Sequence, residues 1–97
     1  MQRFLLERRI REVHDRLVHA RGELKVIDEQ LDAMTEAAEE ARLRSLLSET
    51  PLAARDYGEA RRHADVLMRA RQTLVDHLGD LQRRRDDLLM RVGTRKR

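Results

Sequence analysis

The sequence predicts an all-α fold: two long helices that return on one another as an antiparallel coiled-coil hairpin. Three observations carry this expectation. Apolar residues recur on alternating steps of four and three through both halves of the 97-residue chain. The only proline, Pro51, stands near the middle, directly after Thr50. The two halves also pair layer by layer when the chain is folded at that point.

The first helix is expected from about 3 to 47. Its seam reads Leu6, Ile10, Val13, Leu17, Ala20, Leu24, Ile27, Leu31, Met34, Ala38, Ala41 and Ser45, apolar at every position but the last. Such a heptad, sustained over more than five repeats, is the signature of a coiled-coil stripe. Gly22 falls on the outer face, where it costs about 1 kcal/mol against alanine without breaking the helix. Leu43, Leu46 and Leu47 leave the register just before the turn.

The turn is expected at about 48–51, in Ser48-Glu49-Thr50-Pro51. Thr50 suits the N-cap because its hydroxyl can accept a bond from an orphan backbone N–H of the next helix. Pro51 suits the first helical position, where its missing N–H costs nothing. It also drives Thr50 out of the α region, so a helix arriving from the N-terminal side must stop.

The second helix is expected from 51 to about 92, closed by Gly93 as a C-terminal cap and followed by a basic tail, 93–97. The same stepping gives Ala53, Tyr57, Ala60, Ala64, Leu67, Arg71, Leu74, Leu78, Leu81, Arg85, Leu88 and Val92. With the turn centred near Glu49, facing residues have numbers that sum to a constant. Ser45 then meets Ala53, Leu31 meets Leu67, Leu17 meets Leu81 and Leu6 meets Val92. All layers pair, although neither series depends on the other. At about 1.5 Å per residue the hairpin would be a rod roughly 60 Å long. A single domain, 1–97, is expected, and so thin a core would gain from dimerisation into a four-helix bundle.

Composition agrees with a seam and excludes much else. Charged residues make up 40% of the chain and aromatic residues 2%, too polar a balance for a thick globular core. With no cysteine there is no disulfide framework, thiolate metal site or catalytic thiol. The patch Phe4-Leu5-Leu6 is too short for a signal peptide, and no run approaches membrane-spanning length. A cytoplasmic location with no membrane partner is expected.

Two features of the outward faces suggest binding. Met68, Val75 and Leu89 form a second apolar line one step beyond the seam of the second helix, with Val66 and Met90 adding to its outer surface. Together with the seam residue Arg71 they are the expected partner-docking residues, Met68, Val75, Leu89, Val66 and Arg71. Arg71 would snorkel from the seam towards Asp28 or Glu23, and Arg85 towards Glu12 or Asp15. Scattered exposed apolar residues are ordinary on protein surfaces, but their seven-residue spacing favours a helical partner.

Charge is the second feature. Residues 1–21 and 78–97, which meet at the open end of the hairpin, hold 13 Lys/Arg against 6 Asp/Glu. The stretch from Asp28 to Glu40 has six acids and no base. Arg9 is expected across the seam from Arg91, and Arg16 from Arg84, opposing like charges. The expected anionic-partner patch is Arg9, Arg16, Arg83, Arg84, Arg85, Arg91 and Arg95. A solvated basic end tolerates this repulsion at little cost; an acidic protein surface or a phosphate would exploit it.

Catalytic and ligand chemistry finds no foothold. The four histidines are not expected to converge, with His19 facing outward and His77 near Arg21 and Glu23, so no metal site and no cofactor is expected. Glu39-Glu40 and Asp86-Asp87 are neighbouring acids on solvated helix, without a pocket to raise a pKa. There is no glycine-rich phosphate loop and no serine with a base in prospect. The chain is therefore not expected to be an enzyme or to take a small-molecule substrate. Nucleic acid is the less favoured partner, because helix-turn-helix spacing and an aromatic platform are missing and Asp80, Asp86 and Asp87 interrupt the arginines.

In architecture the chain resembles several families of antiparallel coiled-coil hairpins. It is similar to hairpins that probe the RNA polymerase secondary channel with tip acids, for which Glu49 and Asp56 would stand. It also resembles the small arginine-rich hairpins of export apparatuses. Hairpin anti-sigma factors that bind a cyclic dinucleotide carry Glu-x3-Ser-x2-Arg-x3-Gln-x3-Asp. Only Gln72-x3-Asp76 matches here, with Arg61, Asp65 and Met68 at the other positions. Shape does not fix function. The expected function is that of a non-catalytic protein–protein interaction module, an adaptor or regulatory subunit and a homo-oligomer. The alternatives are a nucleic-acid-associated or transcription-related regulatory factor, and a self-assembling structural coiled coil.

Overall fold

The computed structural model describes the backbone of residues 2–95 and the side chains of residues 2–94. Two helices account for nearly all of it: α1 (Gln2–Ser48) and α2 (Pro51–Arg95), packed against each other as an all-α helical hairpin. Only Glu49 and Thr50 lie between them.

That two-residue turn is held from both sides. The Glu49 amide donates to the Ser45 carbonyl at 3.1 Å, and Glu49 itself takes φ 49°. This is the left-handed cap that ends many helices, here built on glutamate instead of glycine. On the other side the Ala53 amide donates to Thr50 Oγ1 at 3.1 Å, and the Ala54 amide to the Thr50 carbonyl at 3.1 Å. Thr50 is the N-cap and Pro51 the first residue of α2, as their chemistry dictates.

The end of α2 differs from expectation. Gly93 does not cap the helix, since it has a negative φ and the helix runs on to Arg95. A glycine inside a helix costs only about 1 kcal/mol, and the Thr94 hydroxyl ties the last turn by donating to the Met90 carbonyl at 2.9 Å. Lys96, Arg97 and the Arg95 side chain, parts of the expected basic tail and patch, lie outside the described residues.

Packing divides the hairpin into two units. Unit 1 joins Met1–Leu24 to Leu74–Arg97, and unit 2 is Lys25–Thr73. Unit 1 has the deeper core: Leu6, Val13, Leu17, Ala20, Leu74, Leu78, Leu81 and Leu88 are buried, and Leu17 is fully withdrawn from solvent. In unit 2 only Leu31 and Ala41 are buried, while Ile27, Met34, Ala38, Tyr57, Ala60, Ala64 and Leu67 are half-buried. Alanine has too little side chain to shield its neighbours, so an alanine-rich seam stays shallow. Every expected seam position in both helices is nevertheless buried or half-buried.

The seam arginines find different partners. Arg71 Nε donates to Asp28 Oδ1 at 2.5 Å, across from α2 to α1 within unit 2. Arg85 does not reach Glu12 or Asp15. Its Nε lies 3.3 Å from Oδ1 of Asp86, the next residue in its own helix, and Glu12 is taken by Arg8 at 3.3 Å.

Leu17→Ala should cost roughly 2–5 kcal/mol in urea denaturation, through lost burial and the cavity left behind. Leu47→Ala, at a residue 86% exposed, should stay within about 0.5 kcal/mol. At the turn, Thr50→Ala should lose about 1 kcal/mol. Glu49→Gly should gain up to about 1 kcal/mol, because left-handed strain of ~1–2 kcal/mol is relieved against an entropic cost of ~0.5–1 kcal/mol.

Candidate functional site

Helix periodicity leaves three kinds of outward surface: intrahelical ion pairs, open grooves beside the seam, and exposed apolar side chains. The ion pairs are Arg3–Glu7, Arg8–Glu12, Arg55–Glu59, Arg42–Glu39 and Arg83–Asp80, and His19 lies against Glu23, each couple three or four residues apart. These are neighbours on one helix face. The Arg42–Glu39 pair is bidentate: Nε donates to Oε2 at 3.0 Å and Nη2 to Oε1 at 2.7 Å. Those hydrogen bonds hold the Glu39 carboxyl below the ordinary carboxylate range and push Arg42 upward.

In unit 1 the arginines sort into two classes. Arg83 is tied to Asp80 and Arg85 to Asp86. Arg9, Arg16, Arg84 and Arg91 are exposed and form no ion pair among the described residues. Arg9 and Arg91 line one groove with Gln2, Leu5 and Leu6, which brings together two guanidinium groups from opposite helices. Arg16 and Arg84 follow one heptad away on their respective helices. On its other side Arg91 shares a groove with Asp87, Met90 and Thr94. Of the expected anionic-partner patch, four arginines are thus unpaired among the described residues, and two of them, Arg9 and Arg91, share a groove with the exposed Leu5.

Further along unit 1, His19 and His77 line a single groove with Asp15, Arg16, Ala20, Glu23 and Leu74. His19 is largely exposed and His77 shares the groove with Glu23, as expected from the facing layers. His19 sits one turn before Glu23, and its Nε2 lies 2.7 Å from the Glu23 carboxylate. Among the described residues no group of three or more His, Cys, Asp or Glu could hold a metal ion.

The expected apolar docking line is divided. Met68 and Leu89 are 54% and 48% exposed, Met68 in unit 2 and Leu89 in unit 1. Val75 is half-buried, and Arg71 is half-buried and held by Asp28. Val66 faces elsewhere, lining a groove of unit 2 with Gln30, Met34, His63 and Leu67. Two residues along a helix turn the side chain by roughly 200°, so Val66 and Met68 occupy opposite flanks. The turn adds exposed Leu43, Leu46, Leu47 and Leu52, a set larger than the departures from register imply.

No protein-family model matches the sequence, and neither a curated protein nor a solved structure matches it. Among the described residues no helix is long and apolar enough to cross a membrane.

The Glu39–Arg42 bond needs an ionised carboxylate. Because its folded pKa is lowered, its contribution is present above the unfolded carboxylate pKa and is lost as pH falls through the folded value. In an NMR titration the Glu39 carboxyl should titrate at lower pH than in Arg42→Ala, where it should return towards the ordinary glutamate range.

Proposed function

We propose that the protein is a non-catalytic interaction module, an adaptor or regulatory subunit that binds other proteins through its helix flanks. One observation supports this reading above the others: Arg9 and Arg91 stand unpaired in a groove with exposed Leu5, and Arg16 and Arg84, one heptad along their helices, are likewise exposed and without an ion pair among the described residues. Cations that form no ion pair, set beside apolar surface, suit an acidic helical partner. The carboxylates orient it, and the apolar contact supplies affinity. Met68 in unit 2 and Leu89 in unit 1 each add exposed apolar surface that a partner could bury.

Phosphates are the competing ligand for the arginines. Asp87 lies in the groove beside Arg91, and Asp15 and Glu23 share the groove beside Arg16. These acids would repel a continuous phosphate backbone, whereas a helix can present carboxylates only where arginines await them. The protein reading is therefore preferred to nucleic-acid association.

Tagged wild-type chain, Arg9→Glu/Arg91→Glu and Met68→Asp/Leu89→Asp would be isolated from the native host after crosslinking and nuclease digestion. A defined protein should co-purify with the wild type, survive nuclease and be lost from at least one double variant. Equal recovery with all three chains, or loss of all bound material to nuclease, would sink the proposal.

A further inference from the structure

The arginine flank of unit 1 has a complement within the same chain. Counted over the sequence, unit 1 holds 13 Lys/Arg and 8 Asp/Glu, a net of +5, and unit 2 holds 8 and 10, a net of −2. The acidic excess of unit 2 is arranged as regularly as the basic excess of unit 1. Of the six acids between Asp28 and Glu40, Asp28 is taken by Arg71 and Glu39 by Arg42. Glu29, Asp32, Glu36 and Glu40 are exposed and form no ion pair among the described residues. Glu29, Glu36 and the exposed Leu43 are spaced by sevens, so they share one outer face of α1 at steps of about 10.5 Å.

Arg16 and Arg9 have the same spacing, and the groove lined by Gln2, Leu5 and Leu6 begins one turn beyond Arg9. Laid antiparallel, the two series coincide: Glu29 meets Arg16, Glu36 meets Arg9, and Leu43 reaches the groove at Gln2 and Leu5. Arg91 borders that groove from α2 and adds a second guanidinium near Glu36. We infer that the arginine flank of unit 1 is a docking site for the Glu29–Glu36–Leu43 face of a second copy of this chain. This rests on the reading of that flank as a site for an acidic helix, and it names the helix.

The fit is one of charge, spacing and apolarity together. Exposed ion pairs are individually weak, so the contact should be reversible and strongly dependent on salt. It joins two different patches, so association should proceed with concentration unless a ring closes.

Sedimentation velocity on the purified chain, at protein concentrations into the hundreds of micromolar, tests this directly. Mass should exceed that of a monomer at about 0.1 M salt and fall towards it at about 1 M, where the Debye length shrinks from ~10 Å to ~3 Å. Arg9→Glu/Arg16→Glu and Glu29→Arg/Glu36→Arg should each remain helical by circular dichroism and each sediment as a monomer. Mixed in equal amounts, the two variants should associate again, because each supplies what the other lacks. A monomeric wild type at low salt, association indifferent to either reversal, or variants that stay apart on mixing would each overturn the inference. A foreign partner captured in the host experiment would survive such a result, so the two readings fail separately.

Discussion

A 47-residue helix has to be reversed in two residues, and everything else in the molecule inherits its register from that reversal. Glu49 accepts a left-handed backbone so that its amide can close the last turn of α1. Thr50 then opens α2 with its hydroxyl on the Ala53 amide. A longer loop would let α2 slide along α1. With none to spare, Asp28 and Arg71 arrive opposite one another, and the seam leucines are buried or half-buried.

The seam was legible because a coiled coil writes its packing in the sequence: a residue that faces the partner helix must recur at a fixed step. All expected seam positions are shielded, down to the half-buried Ser45 and Arg85. The capping of α2 by Thr50 and Pro51 was legible for the same reason, since few residue types do that work. What escaped was whatever depends on choices among near-equal options. Gly93 can cap a helix or be tolerated within it, and Glu49 carries no mark of a left-handed backbone. Arg85 had candidate acids in the sequence of both helices and pairs with its neighbour Asp86.

The site residues were legible as types and not as groups. Arginine-rich segments identify the basic end, but helical counting alone does not say which arginines their own helix will satisfy. Arg83 and Arg85 are quenched by Asp80 and Asp86, while Arg84 between them is left free. Val66, expected among the docking residues with Met68, lies on the other flank, because two residues along a helix turn the side chain by roughly 200°.

The two units divide the energetic labour unequally. Unit 1 buries eight of the ten core side chains and can carry unpaired arginines on its flank, because its leucines hold the helices together regardless. Unit 2 buries little, yet exposes Val66, Met68, Leu43, Leu46, Leu47 and Leu52. Burying apolar surface is worth about 25 cal/mol per Å², so a chain whose shallower unit also exposes the more numerous leucines has most to gain there from contact. Covering Leu43 with a second copy would therefore act where the hairpin is thinnest, and the charge rows of Glu29 and Glu36 would decide which surface does the covering.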